Sequence, residues 1–134
     1  MAGAIVVDTH AIVWYLSEPE RLSATALAAF DQAARSGVPI YVTTITMVEL
    51  CYLVEKGRLP ASNLTGLDAL LADPESPLML VPLDSGVSHA LRRIPRDTVP
   101  DMPDRIIAAT GLYLGVPIVT RVPHIQAAPI ATIW

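Results

Sequence analysis

The sequence predicts an α/β protein, a three-layer α/β/α sandwich around a central parallel sheet of four to five strands. Short aliphatic runs without polar alternation recur along the chain, as in strands that are buried on both faces. Each run is followed by a segment of helical periodicity. The composition is 52% hydrophobic with a single Phe, which suits aliphatic strands covered by Ala-rich helices. Strands that alternate with helices pair in parallel, with right-handed crossovers.

The first half of the chain contains two predicted strands, Ala4 to Val7 and Ile40 to Thr43. Thr46 is predicted to cap a helix in which Glu49 completes a Thr-x-x-Glu capping box. The helices predicted in this half are Thr9 to Leu16, Ser23 to about Arg35, Thr46 to Gly57, and Ser62 to Ala72.

The second half contains three predicted strands and two helices. Two prolines make Ile94 to Met102 a loop, and Pro103 suits the first position of the helix that follows it. The strands are Leu78 to Leu83, Ile118 to Thr120, and one near Ile130 to Ile133. The helices are Ser85 to Arg93 and Pro103 to about Leu114, the latter ended by Gly115.

Length and composition limit the class of protein. A chain of 134 residues fits one domain, so we expect a single domain over residues 1–134. No segment approaches the roughly 20 apolar residues of a membrane span, and the start lacks the basic flank of a signal peptide. We therefore expect a cytoplasmic protein without a membrane partner. The single Cys51 excludes an intramolecular disulfide framework, and its apolar neighbours predict a buried side chain.

Acidic residues stand where predicted strands or loops give way to helices, at Asp8, Glu49, Asp101 and Asp104. Taken singly, each is explained by helix capping or by the helix dipole. Taken together, they are delivered to the carboxyl end of one parallel sheet, where such sheets hold ligands. Carboxylates that converge raise each other's pKa unless a cation neutralises them. Oxygen ligands favour Mg²⁺ or Mn²⁺ over zinc, and such a cation supports phosphate chemistry.

The charge balance restricts how the chain could bind nucleic acid. A net charge of −4 excludes binding by bulk electrostatics, so any contact with RNA must be local. Arg105 and Arg121 are the candidates for a phosphate contact, and Arg105 is alternatively a salt-bridge partner along its helix. Thr9 and Thr120 could bond to Asp8 or to metal-bound water, or satisfy backbone groups instead.

Several motifs together resemble the PIN-domain ribonucleases, specifically the VapC-type toxins of bacterial toxin-antitoxin pairs, over essentially the whole chain. The motifs are Val7 to Ala11 followed by Trp14, Thr44 to Leu50, Asp101 to Thr110, Gly115 to Thr120, and Ile133-Trp134. The resemblance implies a Mg²⁺- or Mn²⁺-dependent endoribonuclease, a homodimer that a VapB-like antitoxin holds inactive. Position by position, Asp8, Glu49 and Asp104 match the acidic triad of the family, and Asp101 matches an additional acid.

One position departs from the family pattern. A fourth acid ordinarily follows the threonine that ends the fourth strand, as Thr-x-Asp, whereas this chain reads Thr120-Arg121-Val122. Valine can neither ligate a metal nor accept a proton. The second hypothesis is therefore a catalytically weakened or inactive PIN-like module that binds RNA or an antitoxin. His124, which we expect in a proline-flanked loop, is a poor substitute, because imidazole is a weak Mg²⁺ ligand.

Two further interpretations concern the surface and the class of protein. Trp14, Tyr15 and Tyr52 either line an apolar surface for an antitoxin or second subunit, or fill the core. A phospho-acceptor receiver domain also gathers acids at strand ends, but it needs a lysine in the acidic pocket. The only lysine, Lys56, lies at the far end of its predicted helix, which argues against that class.

Overall fold

The computed structural model describes residues 2–134. Its centre is one five-stranded sheet in which every pairing is parallel, in the order β3-β2-β1-β4-β5. The strands are β1 (Ile5–Val7), β2 (Ile40–Thr43), β3 (Leu78–Val81), β4 (Ile118–Val119) and β5 (Thr132–Ile133). The predicted parallel sheet is confirmed, with all five strands present and β1 in the middle.

Helices connect the strands and cover both faces of the sheet. They are α1 (Thr9–Ser17), α2 (Ala24–Ser36), α3 (Thr44–Glu55), α4 (Ala61–Ala72), α5 (Ser85–Leu91), α6 (Met102–Leu114) and α7 (Pro123–Gln126). A short 3₁₀ turn, Pro19–Arg21, lies between α1 and α2. The longest helices within residues 2–134 have 13 residues, so none of them reaches across the apolar interior of a bilayer.

Alternation along β1 separates two apolar cores, one on each face of the sheet. Ile5 and Val7 belong to the core beneath α1 to α4, whereas Val6 belongs to the core beneath α5 and α6. All three side chains are at most 2% exposed, because a strand sends successive side chains to opposite faces. The three-layer arrangement is therefore confirmed.

The amino-terminal end of α3 differs from the prediction. Thr43, not Thr46, is the N-cap, and its hydroxyl accepts a hydrogen bond from the Thr46 N–H at 3.2 Å. The helix begins two residues earlier than predicted because Thr43 is the last residue of β2 and its extended backbone directly precedes the first turn. The predicted capping box of Thr46 and Glu49 is therefore wrong, and the Glu49 carboxylate is available for another contact.

Two smaller predictions also fail. Cys51 is exposed, because it lies on the outer side of α3 while Leu50 turns into the core. Residues 123–126, expected as a proline-flanked loop, form the short helix α7. Pro123 is at the start of that helix, where its missing N–H costs nothing, and the buried Ile125 anchors it to the core beneath α5 and α6.

Gly111 allows α6 to lie close to β4, and its substitution tests that packing. A Cβ on Gly111 would be 2.6 Å from two side-chain atoms of Ile118, which is fully buried. We expect Gly111→Ala to lower the free energy of unfolding by about 1–3 kcal/mol, because the core cannot accommodate the added methyl group.

Gly66 in α4 is the matched control, since a Cβ there would meet nothing within 4 Å. Gly66→Ala should stabilise the protein by up to about 1 kcal/mol through helix propensity. Urea unfolding followed by circular dichroism measures both variants. Equal effects in the two would show that the close approach of α6 to β4 is not a constraint.

Candidate active site

The candidate site lies at the carboxyl ends of β1 and β4, where the strand order reverses. The chain proceeds from β1 outward through β2 to β3, then crosses back to place β4 on the other side of β1. Ligands of open parallel sheets bind at such a switch point. Asp8 follows β1 and Thr120 follows β4, so these two residues face each other there.

Asp8 is almost fully buried and held at both carboxylate oxygens. Oδ1 accepts the Ala11 N–H at 2.8 Å, which caps α1, and Oδ2 accepts the Thr120 hydroxyl at 2.5 Å. Burial raises the pKa of Asp8, and the bonds from Thr120 and Ala11 and the positive charge of Arg121 oppose that rise. Each carboxylate oxygen carries two lone pairs, so both retain capacity for a further partner.

Glu49 is oriented by a relay of threonine hydroxyls. Thr9 donates to Glu49 Oε1 at 2.6 Å, and the Thr9 and Thr46 hydroxyl oxygens are 3.0 Å apart. Because Thr9 has only one hydroxyl proton, Thr46 must donate to Thr9, and Thr43 in turn donates to Thr46 at 3.2 Å. Burial raises the pKa of Glu49, the bond from Thr9 lowers it, and Asp101 raises it further.

Asp101 and Asp104 enter the site from the start of α6. Asp101 is the N-cap, and its Oδ2 accepts the Asp104 N–H at 3.1 Å. Burial, the largest cause, and the negative charges of Asp101, Glu49 and Asp8 together raise the pKa of Asp104 to about 7. The four predicted acids therefore share one electrostatic environment, although they arrive on three separate elements.

The acids form an open arrangement. Within residues 2–134 no three Asp, Glu, His or Cys side chains are gathered closely enough to enclose a metal ion as they stand. The donor chemistry nevertheless fits a hard divalent cation. Every donor is a carboxylate oxygen. Burial raises the pKa values of Asp8, Glu49 and Asp104, and repulsion from neighbouring carboxylates adds to the rise at Glu49 and Asp104; a bound cation would offset both effects.

The two predicted arginines occupy different surroundings. Arg121 is exposed and close enough to lower the pKa of Asp8. Arg105 donates from Nε to the Ile94 carbonyl at 2.9 Å and from Nη2 to the Leu91 carbonyl at 3.2 Å. These bonds tie the start of α6 to the end of α5. Within residues 2–134 Arg105 makes no salt bridge, the alternative considered for it, and its predicted phosphate contact stays a prediction.

Sequence reasoning did not identify two contributors to the site. The hydroxyl of Thr46 is fully buried and serves the relay to Glu49; the repeated threonines at 43, 44 and 46 were a signal that could have revealed it. Arg21 reaches the site from the 3₁₀ turn and lines a cleft beside Asp8. No spacing in the sequence relates Arg21 to Asp8, because the turn between α1 and α2 determines its position.

The predicted aromatic residues divide between core and surface. Trp14 is 7% exposed and belongs to the core beneath α1 to α4, and Tyr15 stacks on Phe30 with ring centroids 4.1 Å apart. Tyr52 is 59% exposed, so it alone remains a candidate for an apolar contact surface. Val122 is partly buried beside Asp8, and His124 is exposed on α7.

Comparison with known proteins gives consistent results. Residues 5–125 match the PIN domain family. The chain is 29% identical to Ribonuclease VapC22 of Mycobacterium tuberculosis (strain ATCC 25618 / H37Rv) over 118 residues, which is 87% of this chain and 85% of that protein.

Two solved structures share the fold. One is VapBC2 from Rickettsia felis bound to a DNA fragment from its promoter, with a TM-score of 0.72, 16% identity and coverage of 96% of both chains. The other is FitAcB from Neisseria gonorrhoeae, with a TM-score of 0.56, 22% identity and coverage of 96% of this chain and 95% of that chain. The match to the family covers most of the chain, and the acids stand at the switch point of a parallel sheet. The chain therefore belongs to the PIN domain family.

Proposed function

We propose that this protein is a metal-dependent endoribonuclease, the toxin of a type II toxin-antitoxin pair. The observation that supports the proposal is the electrostatic coupling of Asp104 to Glu49 and Asp8 at the carboxyl end of the sheet, where the pKa values of all three are raised. The similarity to Ribonuclease VapC22 supports RNA as the substrate. A nuclease needs such a site because charge on the phosphate grows during cleavage and must be stabilised there.

Asp8, Glu49 and Asp104 would hold the cation, with Asp101 supporting it or its hydration. Bound Mg²⁺ or Mn²⁺ supplies Lewis-acid stabilisation of the phosphate and makes water a stronger acid. The residues of the chain provide the positioning: Thr120 and the Ala11 N–H orient Asp8, and Thr9 orients Glu49. Arg121, beside Asp8, would contact the scissile phosphate.

The proposed partner is an antitoxin of the VapB type. We also propose that the protein forms a homodimer and is located in the cytoplasm. The structural neighbours include VapBC2, a toxin-antitoxin complex. A groove of about 400 Å³ beside Glu49 is bordered by exposed apolar residues, among them Val48, Tyr52 and Met102. Apolar side chains grouped in this way favour burial against a second protein surface.

A catalytically weakened or inactive module, which binds RNA or an antitoxin without cutting, is the second candidate because of Val122. Its side chain borders the same cleft as Asp8 and Arg121, at the position where the family pattern has its fourth acid. A site lacking that acid has fewer protein ligands for a second cation. Intact Asp8, Glu49 and Asp104 favour the active enzyme over this alternative.

Replacement of Asp8 tests the enzyme directly. We expect Asp8→Asn to reduce Mn²⁺-dependent RNA cleavage by about 100-fold or more, because a neutral amide is a poor ligand for a hard cation. The measurement is cleavage of a labelled RNA by purified protein. Asp68→Asn is the control, since Asp68 is an exposed carboxylate on α4. Equal rates for wild type and Asp8→Asn would contradict the assignment.

Restoring an acid at position 122 tests the second candidate. Val122 is the N-cap of α7, a position that Asp suits well, so the fold should accept the change. We expect Val122→Asp to tighten Mn²⁺ binding about 10-fold or to raise turnover, whereas the isosteric amide in Val122→Asn should do neither. Calorimetry and cleavage kinetics measure the two effects. No difference between the variants would show that the fourth acid is dispensable here.

The electrostatics of Asp104 predict how pH affects the metal-free protein. The folded-state pKa of about 7 is above the ordinary 3.8, so folding favours the protonated carboxyl. That contribution to stability is complete below about pH 4 and is lost as the pH rises through 7. Because Asp104 is partly exposed, screening limits the effect to about 1 kcal/mol, or about 3 °C in Tm.

Thermal melts of wild type and Asp104→Asn in a chelating buffer measure this effect. The two proteins should melt closer together at pH 4 than at pH 8, where the wild type should have lost about 3 °C relative to the variant. Added Mn²⁺ should raise the Tm of the wild type more than that of the variant. A pH-independent difference between the two proteins would refute the raised pKa of Asp104.

A further inference from the structure

A cleft of about 330 Å³ opens beside Asp8 and adjoins the groove at Tyr52, with His10 lining both. Asp8 supplies one wall, and the 3₁₀ turn, the segment after β4 and the residue after β5 supply the others. Its lining includes Asp8, His10, Trp14, Arg21, Arg121 and Trp134. Both tryptophans of the chain thus border one cleft that contains a single carboxylate and two guanidinium groups.

Trp14 holds the two guanidinium groups in place. The Cζ atoms of Arg21 and Arg121 are 4.6 Å and 5.0 Å from the centroid of the Trp14 ring. Cation–π contacts at these distances are favourable, and they orient planar groups that would otherwise rotate freely. Trp14 itself is 7% exposed, so its role is to support the arginines, not to contact a ligand.

Most donors of the two guanidinium groups remain available; within residues 2–134 the exception is Nη1 of Arg21, which donates to Glu18. Stacking uses the face of the guanidinium plane, whereas its five N–H donors point outward along the edges. Among residues 2–134 the single ion pair joins Arg21 to Glu18 at 3.4 Å, and both side chains are about half exposed. Arg121 has no carboxylate partner within the same residues. The cleft therefore offers two oriented cationic groups that are available to an anion.

Aromatic surface completes the cleft. The ring of Trp134 meets that of Trp14 edge-on, with centroids 5.9 Å apart, and the His10 ring is 5.6 Å from Trp14. Trp134 is partly exposed and His10 is exposed. Nucleobases of single-stranded RNA stack on aromatic rings and on guanidinium planes, while their phosphates accept hydrogen bonds from arginine.

We propose that this cleft binds the nucleotide next to the scissile phosphate, with Arg121 on the scissile phosphate, Arg21 on the adjoining backbone phosphate, and Trp134 or His10 against the base. The proposal rests on the proposed ribonuclease function and names where single-stranded RNA lies. It also resolves the problem posed by a net charge of −4. The two guanidinium groups beside Asp8 provide local attraction for a polyanion that the chain as a whole repels.

Intrinsic fluorescence gives a direct test, because Trp14 and Trp134 are the only tryptophans. The probe is a 5′-phosphorylated RNA tetranucleotide, titrated into the whole protein with chelator present so that no cleavage occurs. We expect saturable quenching. Arg21→Gln and Arg121→Gln should each weaken binding about 5- to 10-fold, and each should reduce the slope of log K against log salt by about 0.7.

Arg35→Gln is the matched control. Arg35 is exposed in the last turn of α2, which leads to the amino-terminal end of β2 and hence to the opposite end of the sheet from the site. The control should bind the tetranucleotide within twofold of wild type. Arg121→Lys should recover part of the affinity, because it keeps the charge but loses the planar fork.

Three outcomes would overturn the proposal. The first is tetranucleotide binding by the Arg21→Gln/Arg121→Gln double variant within twofold of wild type. The second is displacement of the tetranucleotide by inorganic phosphate at the same concentration as by a nucleoside monophosphate, which would indicate an anion site alone. The third is equally strong displacement by an oligoglutamate peptide, which would indicate an acidic protein segment as the ligand.

Failure of this proposal is distinguishable from failure of the proposed function. If Asp8→Asn abolishes Mn²⁺-dependent cleavage while the arginine variants bind RNA normally, the ribonuclease assignment stands and the nucleotide cleft is wrong. If the wild type never cleaves RNA but its tetranucleotide affinity depends on Arg21 and Arg121, the cleft stands and the enzyme assignment is wrong. Thermal melts of each variant confirm that the fold is retained.

Discussion

The hydrogen bond from Thr120 to Asp8 joins the carboxyl ends of the two central strands, and the site is built around it. It places the first acid of the chain in contact with a residue 112 positions away. The same carboxylate caps α1, so one side chain determines where β1 ends, where α1 begins and how β4 is aligned with both. A buried carboxylate is costly unless its oxygens are hydrogen-bonded, and these two bonds reduce that cost. Removing either partner would therefore affect folding and site geometry together.

The positions of the remaining acids are tied to the starts of their helices. Glu49 is oriented by the threonine relay that begins at the N-cap of α3, and Asp104 follows directly from the cap that Asp101 makes on α6. Helices α1 and α6 are each capped by an aspartate, and these caps bring carboxylates to the carboxyl end of the sheet. Burial and then the neighbouring carboxylates raise the pKa of Asp104 at this place. Helix capping and a shared site are therefore compatible explanations of why the acids stand at these positions, since the capping interactions set those positions.

Two openings of different chemical character border the acids. The groove at Tyr52 is mostly apolar, whereas the cleft at Arg121 is cationic and aromatic, and His10 lines both. Glu49 borders the first and Asp8 borders the second. A partner bound in the groove would thus lie next to the acids and would adjoin the cleft at His10. The proposed antitoxin surface and the proposed RNA cleft would therefore be neighbours at the same end of the sheet.

The sequence by itself determined the five strands, the parallel sheet and the identity of the acids, because buried aliphatic runs, helix periodicity and motif order are local properties. It misplaced the cap of α3 and the burial of Cys51, since competing caps and helix orientation depend on neighbouring elements. Only the tertiary structure decided that Arg105 closes the end of α5 and that Arg21 approaches Asp8. Those positions follow from the crossover connections, which bring distant segments together through packing that no sequence spacing records.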